Sequence, residues 1–475
     1  MDILLIEPPP TNEFGNMRQF GSIGTYKADI AYPPIDLMKI AGCLREHNID
    51  TCLYDANTLN SSLDDVAELI KKEKPRLVIF TASTTTINKD VEIARRAKKI
   101  SKDIITATFG AHIKGAPVQT LEENDCLDVA IYGDPEFVTK ELVRNEYDLS
   151  KVKGIVFRQG GEIINQGPHV QIDNLDEYGI AAHDKIDPNL YRDPFSKRTP
   201  LTVTYGQLAC INKCAYCMST LYGDLRMRSV DHFYRELEFI VKLGFKEVFF
   251  IDCGFTNNSQ WINQLVDKMI AKSLDLTWWC LSRADCLDEQ LMRKMKAAGC
   301  HSIGVGVESV NAQIIKNTGK NVDPQQVLKI VKLAKKIGLR ILLYFQFGLP
   351  GETRASMQES LDFALKSGAD LVTFGIATPV PGTKFYEYIK HNGYLIEKDW
   401  SKFDPALPPV YSYPNLSSQE IFEFSQKAYK AFYLRPSFVI KRFLGQRSWR
   451  DVKNNYSNFM NFVNRMFSSR EKLKT

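Results

Sequence analysis

No apolar run in this chain approaches the length needed to span a bilayer. The start, Met1-Asp-Ile-Leu-Leu-Ile-Glu7, lacks a basic n-region, and its apolar stretch is too short for a signal peptide; a cytoplasmic protein is expected. A disulfide framework is also missing. Seven of the ten cysteines (Cys43, Cys52, Cys126, Cys253, Cys280, Cys286, Cys300) are scattered through helix- and strand-like segments, as in a reducing interior. No Gly-x-Gly-x-x-Gly fingerprint follows the first strand-like run, which argues against a nicotinamide or flavin dinucleotide. Net positive charge is missing outside one segment: residues 435–475 carry ten Lys and Arg against two acids, a net of +8 that leaves −3 for the rest of a chain totalling +5.

What the chain does have is two successive alternations of strand and helix. The 475 residues are enough for two or three domains. Strand-like runs at 3–6, 51–54, 76–81, 104–108 and 128–132 are separated by helical patterns such as Leu37, Ile40, Ala41 and Leu44. This predicts an α/β fold opening on a doubly wound, Rossmann-like parallel sheet over residues 1–147, with ligands at the carboxyl ends of its strands. Residues 148–195 read as a linker with a hairpin around Gly160-Gly161. Six further strand–helix units over 196–390 predict a partial (β/α)6 barrel of the TIM type, with chemistry at its carboxyl-end loops. Residues 391–475 read as a helical region ending in a basic amphipathic tail, where Trp449, Val452, Tyr456, Phe459, Met460, Val463 and Phe467 recur at helical spacing. Such a helix either packs on the barrel or lies reversibly on an anionic membrane, each basic side chain near that surface adding roughly 1 kcal/mol.

The most specific motif is Cys210-Ile-Asn-Lys-Cys214-Ala-Tyr-Cys217, just after the first barrel strand. Three thiolates on one short loop suit a soft metal. A structural zinc wants a fourth ligand, and no His or Cys lies nearby in sequence to supply it. A four-iron, four-sulfur cluster on three cysteines keeps one iron open, which favours the cluster.

On these cysteines, and on the strand-end motifs Val248–Thr256, Trp279–Arg283, Gly304–Ser309, Phe347–Glu352 and Thr378–Thr383, the chain resembles the radical S-adenosylmethionine (SAM) enzymes. The resemblance implies that Cys210, Cys214 and Cys217 hold a [4Fe-4S] cluster whose open iron binds SAM. It further implies that Tyr216 lies against the adenine, Asp252 accepts the SAM ammonium, and Arg283 reaches the SAM carboxylate or pairs with Asp285. Gly304 would let the backbone approach the ligand, Glu308 or Ser309 would bond the ribose, and Gly348 would belong to an adenine-side loop. The second-strand loop departs from the usual two consecutive acids: Asp252 is followed by Cys253.

The preceding α/β domain, with Tyr32-Pro-Pro-Ile-Asp36 and Gly110-Ala-His112, resembles the cobalamin-binding domain of the B12-dependent radical SAM family, over roughly residues 1–390. Cobalamin is then implied as a third cofactor. Ser83, Thr84, Gly110, Ala111 and Gly133 stand at the strand ends facing it. The loop Pro8–Gly15 has no histidine, so a lower ligand to cobalt from that loop is excluded, and His112 reads as a loop hydrogen-bonder. Glu136 is expected to cap its helix. The implied activity is methylation of an unactivated carbon through a deoxyadenosyl radical and methylcobalamin, on a lipid or other apolar small molecule, with a flavodoxin- or ferredoxin-type electron donor and no nucleic acid. Three alternatives stand beside it. A cyclase or C–C coupling enzyme has the same architecture. A tRNA methylthiotransferase would need a second set of loop-end cysteines. A non-catalytic SAM- or cobalamin-binding sensor has no evident use for the intact cysteine triad.

Overall fold

The structure is a computed structural model that describes residues 2–19, 24–25, 30–168, 171–436, 438 and 440. The tail residues 449–467 therefore lie outside the described residues. Among the described residues, no helix is long and apolar enough to cross a membrane.

The first sheet comprises β1 (Ile3–Glu7), β2 (Thr51–Asp55), β3 (Leu77–Thr81), β4 (Ile105–Phe109), β5 (Val129–Ile131), β6 (Ile155–Gln159) and β7 (Glu162–Asn165), in the order β2-β1-β3-β4-β5-β6-β7. β1 to β5 run parallel, and the hairpin β6–β7 adds antiparallel to β5. The hairpin read as linker is thus the far edge of this sheet, because Val156 and Phe157 bury against the strands it extends. The central strands are apolar throughout since helices cover both faces: Leu4, Ile6, Val78 and Phe80 face one core, Ile3, Leu5, Leu77 and Ile79 the other.

Six parallel strands form the second sheet: β8 (Leu201–Thr204), β11 (Glu247–Phe250), β12 (Thr277–Ser282), β13 (Cys300–Glu308), β14 (Arg340–Phe347) and β15 (Leu371–Ile376), in the order β15-β14-β13-β12-β11-β8. A two-stranded ladder, β9 (Gln207–Leu208) with β10 (Arg226–Met227), brackets the cysteine loop. Alternation divides each barrel strand. Ile303, Val305, Val307, Leu343, Phe345 and Phe347 lie under the helices, while Phe249, Trp279, Gly304, Leu342 and Tyr344 belong to the opposite, interior face.

Helix does not resume directly after the helix Lys384–His391. Residues 392–416 form an irregular strap with one 3₁₀ turn, Trp400–Lys402, because Pro405, Pro408, Pro409 and Pro414 cannot continue a helix. The strap crosses to the first domain: Trp400 donates to Glu123 at 3.1 Å, Asp399 accepts from Asn88 at 3.2 Å, and Asp404 accepts from Thr25 at 2.8 Å. The helix Ser418–Tyr433 then packs on β15, where Ser425 donates to the Phe374 carbonyl and Tyr433 to that of Val372.

Candidate cofactor site between the two sheets

The cysteine loop is held at its root and its middle. Asp252, at the end of β11, accepts from the backbone N–H groups of Gly206 (3.0 Å) and Gln207 (2.6 Å), fixing the chain where it leaves β8. Farther along, Ala215 donates to the Thr318 carbonyl and accepts from the Phe385 N–H, both at 2.9 Å. Cys217 N–H turns back to the Cys214 carbonyl at 3.0 Å. The Cys210 sulfur accepts from the Asn212 backbone and from the Asn257 side chain, each at 3.5 Å. Cys217 Sγ and Ser219 Oγ lie 3.1 Å apart. Burial pushes the Cys214 thiol up to about 11 and also raises Cys217, while the Lys320 ammonium pulls both down.

Among the described residues, no three His, Cys, Asp or Glu side chains are gathered around a single ion position. A zinc would draw its thiolates together at about 2.3 Å each, whereas a cluster gives each thiolate a separate iron. The soft, all-sulfur donor set fits a [4Fe-4S] cluster.

Other candidates gather at the same strand ends. Tyr216, half-buried, has its phenol raised well above the usual range, first by burial and then by Glu308 and the thiols of Cys214 and Cys217. Glu308 has a left-handed backbone (φ 65°) at a register shift between β13 and β14, and its Oε1 accepts from Lys320 Nζ at 2.7 Å. Gly306 makes room for that pair: a Cβ there would lie 2.7 Å from both charged atoms.

The remaining candidates also make contacts within the chain. A Cβ on Gly304 would meet Leu281 and Tyr344 at 2.8 Å, so this glycine makes room for interior packing. Ser309 is buried, accepts from the Asn311 N–H at 3.2 Å and lies 3.4 Å from Ser360 Oγ. The Gly348 carbonyl accepts from Tyr411 (2.8 Å) and Tyr413 (2.9 Å), hydroxyls of the strap. Arg283 makes a two-pronged pair with Asp285 (2.9 and 2.7 Å) and donates to the Asn321 carbonyl at 2.7 Å, the second of its two expected roles. Asp252 lies two residues beyond the last residue of β11. Its Oδ2 is buried without a partner, and burial raises its carboxyl to about 7. It braces the loop, and alternation puts Cys253 on the interior side, where it senses Cys217 and Cys210.

On the first domain, the strand-end residues meet the barrel. Gly110 (φ 135°) crosses so close to Ala82 that a Cβ would lie 2.1 Å from its carbonyl oxygen. Ala111 opens the helix Ala111–Gly115, whose last residue rests on Pro381; a Cβ on Gly115 would be 1.9 Å from that carbonyl oxygen. The Gly133 carbonyl accepts from Lys114 at 2.9 Å. Ser83 is within 3.1 Å of the Thr85 and Thr86 hydroxyls, and Thr84 lies 3.3 Å from His112 Nδ1. His112 is fully buried, its ring edge-on to Trp400 at 4.9 Å, and its Nε2 is left without a partner. His112 thus stands in a short helix rather than the expected loop, closed off beneath Trp400, while the Ser83 and Thr85 hydroxyls beside the glycine-bearing strand ends fit a ligand with amide groups, as cobalamin has. Glu136 stands in the first turn of its helix, as expected, but its Oε1 accepts from Tyr205 of the barrel at 3.3 Å, and burial raises its carboxyl to about 7.

Residues 205–364 match the radical SAM superfamily and residues 22–143 the B12 binding domain. An uncharacterized methyltransferase of Pyrococcus horikoshii is 32% identical over 447 residues, which cover 93% of this chain and 94% of that protein. The chain belongs to the B12-binding radical SAM family. The cofactors of this B12-binding radical SAM protein are a [4Fe-4S] cluster, SAM and cobalamin. An anaerobic magnesium-protoporphyrin IX monomethyl ester cyclase of Rubrivivax gelatinosus is 25% identical, covering 87% of this chain and 76% of its own length. The solved structure of OxsB, a cobalamin-dependent SAM radical enzyme with aqua-cobalamin and SAM bound, shares the fold at a TM-score of 0.74 and 14% identity, covering 98% of this chain and 72% of that one.

Lys320 and Asn257 were not signalled by any local spacing. Lys320 follows the helix Ala312–Thr318, and Asn257 sits 47 residues from the sulfur it contacts. Only the pairing of strands brings them to the loop.

Proposed function

We propose that this protein is a cobalamin-dependent radical SAM methyltransferase acting at an unactivated carbon of an apolar small molecule or lipid. The observation that carries the reading is the apposition of two carboxyl-end surfaces: the cysteine loop on the barrel and the Gly110–Gly115 segment of the first domain, in contact through Pro381. When bound, the cluster and SAM supply a radical-generating electron transfer, and cobalamin supplies a methyl carrier.

The chain's own residues bind, orient and exclude water. Cys210, Cys214 and Cys217 hold the cluster. Tyr216 gives the adenine a flat apolar face, and Glu308, steadied by Lys320, offers a carboxylate to the ribose hydroxyls. Phe249 and Trp279, stacked at 3.6 Å, close the interior on the β8 side with Phe195 and Tyr32. Leu281, Tyr344, Gln346 and Thr373 line the partly exposed side, an uncharged wall that mixes apolar surface with neutral hydrogen-bonding groups. A flavodoxin- or ferredoxin-type donor has access to the cluster along the loop, where Ile211 is 52% exposed. A peripheral membrane contact rests on the charge of the tail alone.

The test is anaerobic purification with hydroxocobalamin, followed by corrin and iron determination and product analysis with SAM and a reductant. Near-stoichiometric corrin with about four irons, and S-adenosylhomocysteine formed alongside deoxyadenosine, are expected. Deoxyadenosine without S-adenosylhomocysteine would favour the second reading, cyclisation, which the likeness to the Rubrivivax gelatinosus cyclase supports.

A further inference from the structure

We propose that Asn257 is a positioning residue for Cys210, and that its side-chain N–H···S hydrogen bond raises the reduction potential of the cluster held there. The inference rests on the cluster assignment above and concerns how this particular chain tunes it. Asn257 Nδ2 lies 3.5 Å from Cys210 Sγ. The other donors to that sulfur, the Asn212 backbone (3.5 Å) and side chain (3.9 Å), belong to the cysteine loop itself and travel with it. Asn257 arrives from the loop after β11 and ties the sulfur to a different strand.

The local fold is arranged for this reach. Asn257 N–H closes a turn onto the Gly254 carbonyl at 3.0 Å. Gly254 has no side chain, and a Cβ there would lie 2.5–2.7 Å from three atoms of the Asn257 amide. The glycine is thus the space into which the amide folds back toward sulfur. The amide oxygen is buried with no partner, so nothing but the sulfur orients the group. Turned the other way, its lone pairs would face an anionic thiolate.

One-electron reduction adds negative charge to the iron–sulfur–thiolate unit. A donor to a ligand sulfur therefore stabilises the reduced state more than the oxidised one. Removing it should lower the potential without removing a ligand. Such partners around a metal site tune the ligands they touch.

The experiment uses the full chain, purified anaerobically as wild type, Asn257→Leu, Gly254→Ala, the double variant and Asn258→Ala. Iron is counted, and the reduced-cluster signal is titrated with dithionite and mediators. Asn257→Leu should retain iron and shift the reduction equilibrium against the reduced cluster by on the order of tenfold, ~59 mV for a one-electron couple. Gly254→Ala should shift it the same way by displacing the amide, and the double variant should be no worse than Asn257→Leu alone. Asn258, whose side chain caps the helix Ser259–Ala271 by accepting from Trp261 N–H at 2.9 Å, should change thermal stability but not potential. Unchanged potential in iron-replete Asn257→Leu, or additive shifts in the double variant, would overturn the proposal. Should Asn257→Leu fail to assemble iron, the Gly254→Ala potential decides in the same two directions. A wild type without iron would overturn the cluster assignment, and the proposal with it.

Discussion

Cys253 stands on the interior side of the β11 end, near Cys210 and Cys217, yet the cluster needs only three ligands. Alanine at Cys210, Cys214 or Cys217 should abolish deoxyadenosine formation and the reduced-cluster signal, whereas Cys253→Ala should keep full iron. Iron determination on the four variants checks this. His112 supplies a separate prediction. Burial lowers its pKa from 6.5 to about 4, so the fold favours the neutral ring. That contribution is complete above pH 6.5 and is lost as pH falls through 4, a span of roughly 3 kcal/mol. His112→Gln should flatten the stability–pH curve between those values, as read by urea unfolding. At this scale the cysteines were legible because their spacing along the chain is itself the motif. Asp252 and Gly304 were harder, since only the neighbouring strands reveal that one braces a loop and the other relieves packing.

Elements whose pattern is local were readable from sequence. Each barrel strand announces itself as an apolar run, and the helices between follow a 3.6-residue period. The strap was less legible, because its partners lie in distant segments and its prolines say only that no helix forms. It nevertheless fixes the loop after β14. Tyr411 lies within donating distance of the carbonyls of Gly348 (2.8 Å) and Ala377 (3.0 Å). Tyr411→Phe should cost about 1–2 kcal/mol by leaving a buried carbonyl unpaired. Because Tyr413 still donates to Gly348, the loss falls on the Ala377 carbonyl, and urea unfolding of the variant measures it.

Across the whole molecule, the two sheets are fastened by buried charge. Glu236 of the barrel accepts from Arg228 at 2.7 Å, lies 3.5 Å from Lys39 of the first domain, and accepts from Thr204 and from the Ala181 N–H of the connecting segment. Burial alone would raise its carboxyl, but Arg228 and Lys39 hold it well below the usual range. Asp134 and Arg226 form a second cross-link at 2.5 Å, joined by Tyr178 at 2.7 Å. Arg226→Met should cost about 3–5 kcal/mol by stranding a buried carboxylate. Because both domains share the link, thermal unfolding should remain a single transition at lower temperature. The order of domains was legible in sequence, but these pairings, between residues far apart in the chain, were not.

The strap also sets a schedule. Its anchors on the first domain follow their partners by 277 to 379 residues. At about 5–20 residues per second, a ribosome needs on the order of 15 to 75 seconds to deliver them. Throughout that interval the emerging first domain presents His112 and its neighbours without the Trp400 ring that covers them in the finished fold, so the nascent chain is most exposed to aggregation and proteolysis at the seat of the strap.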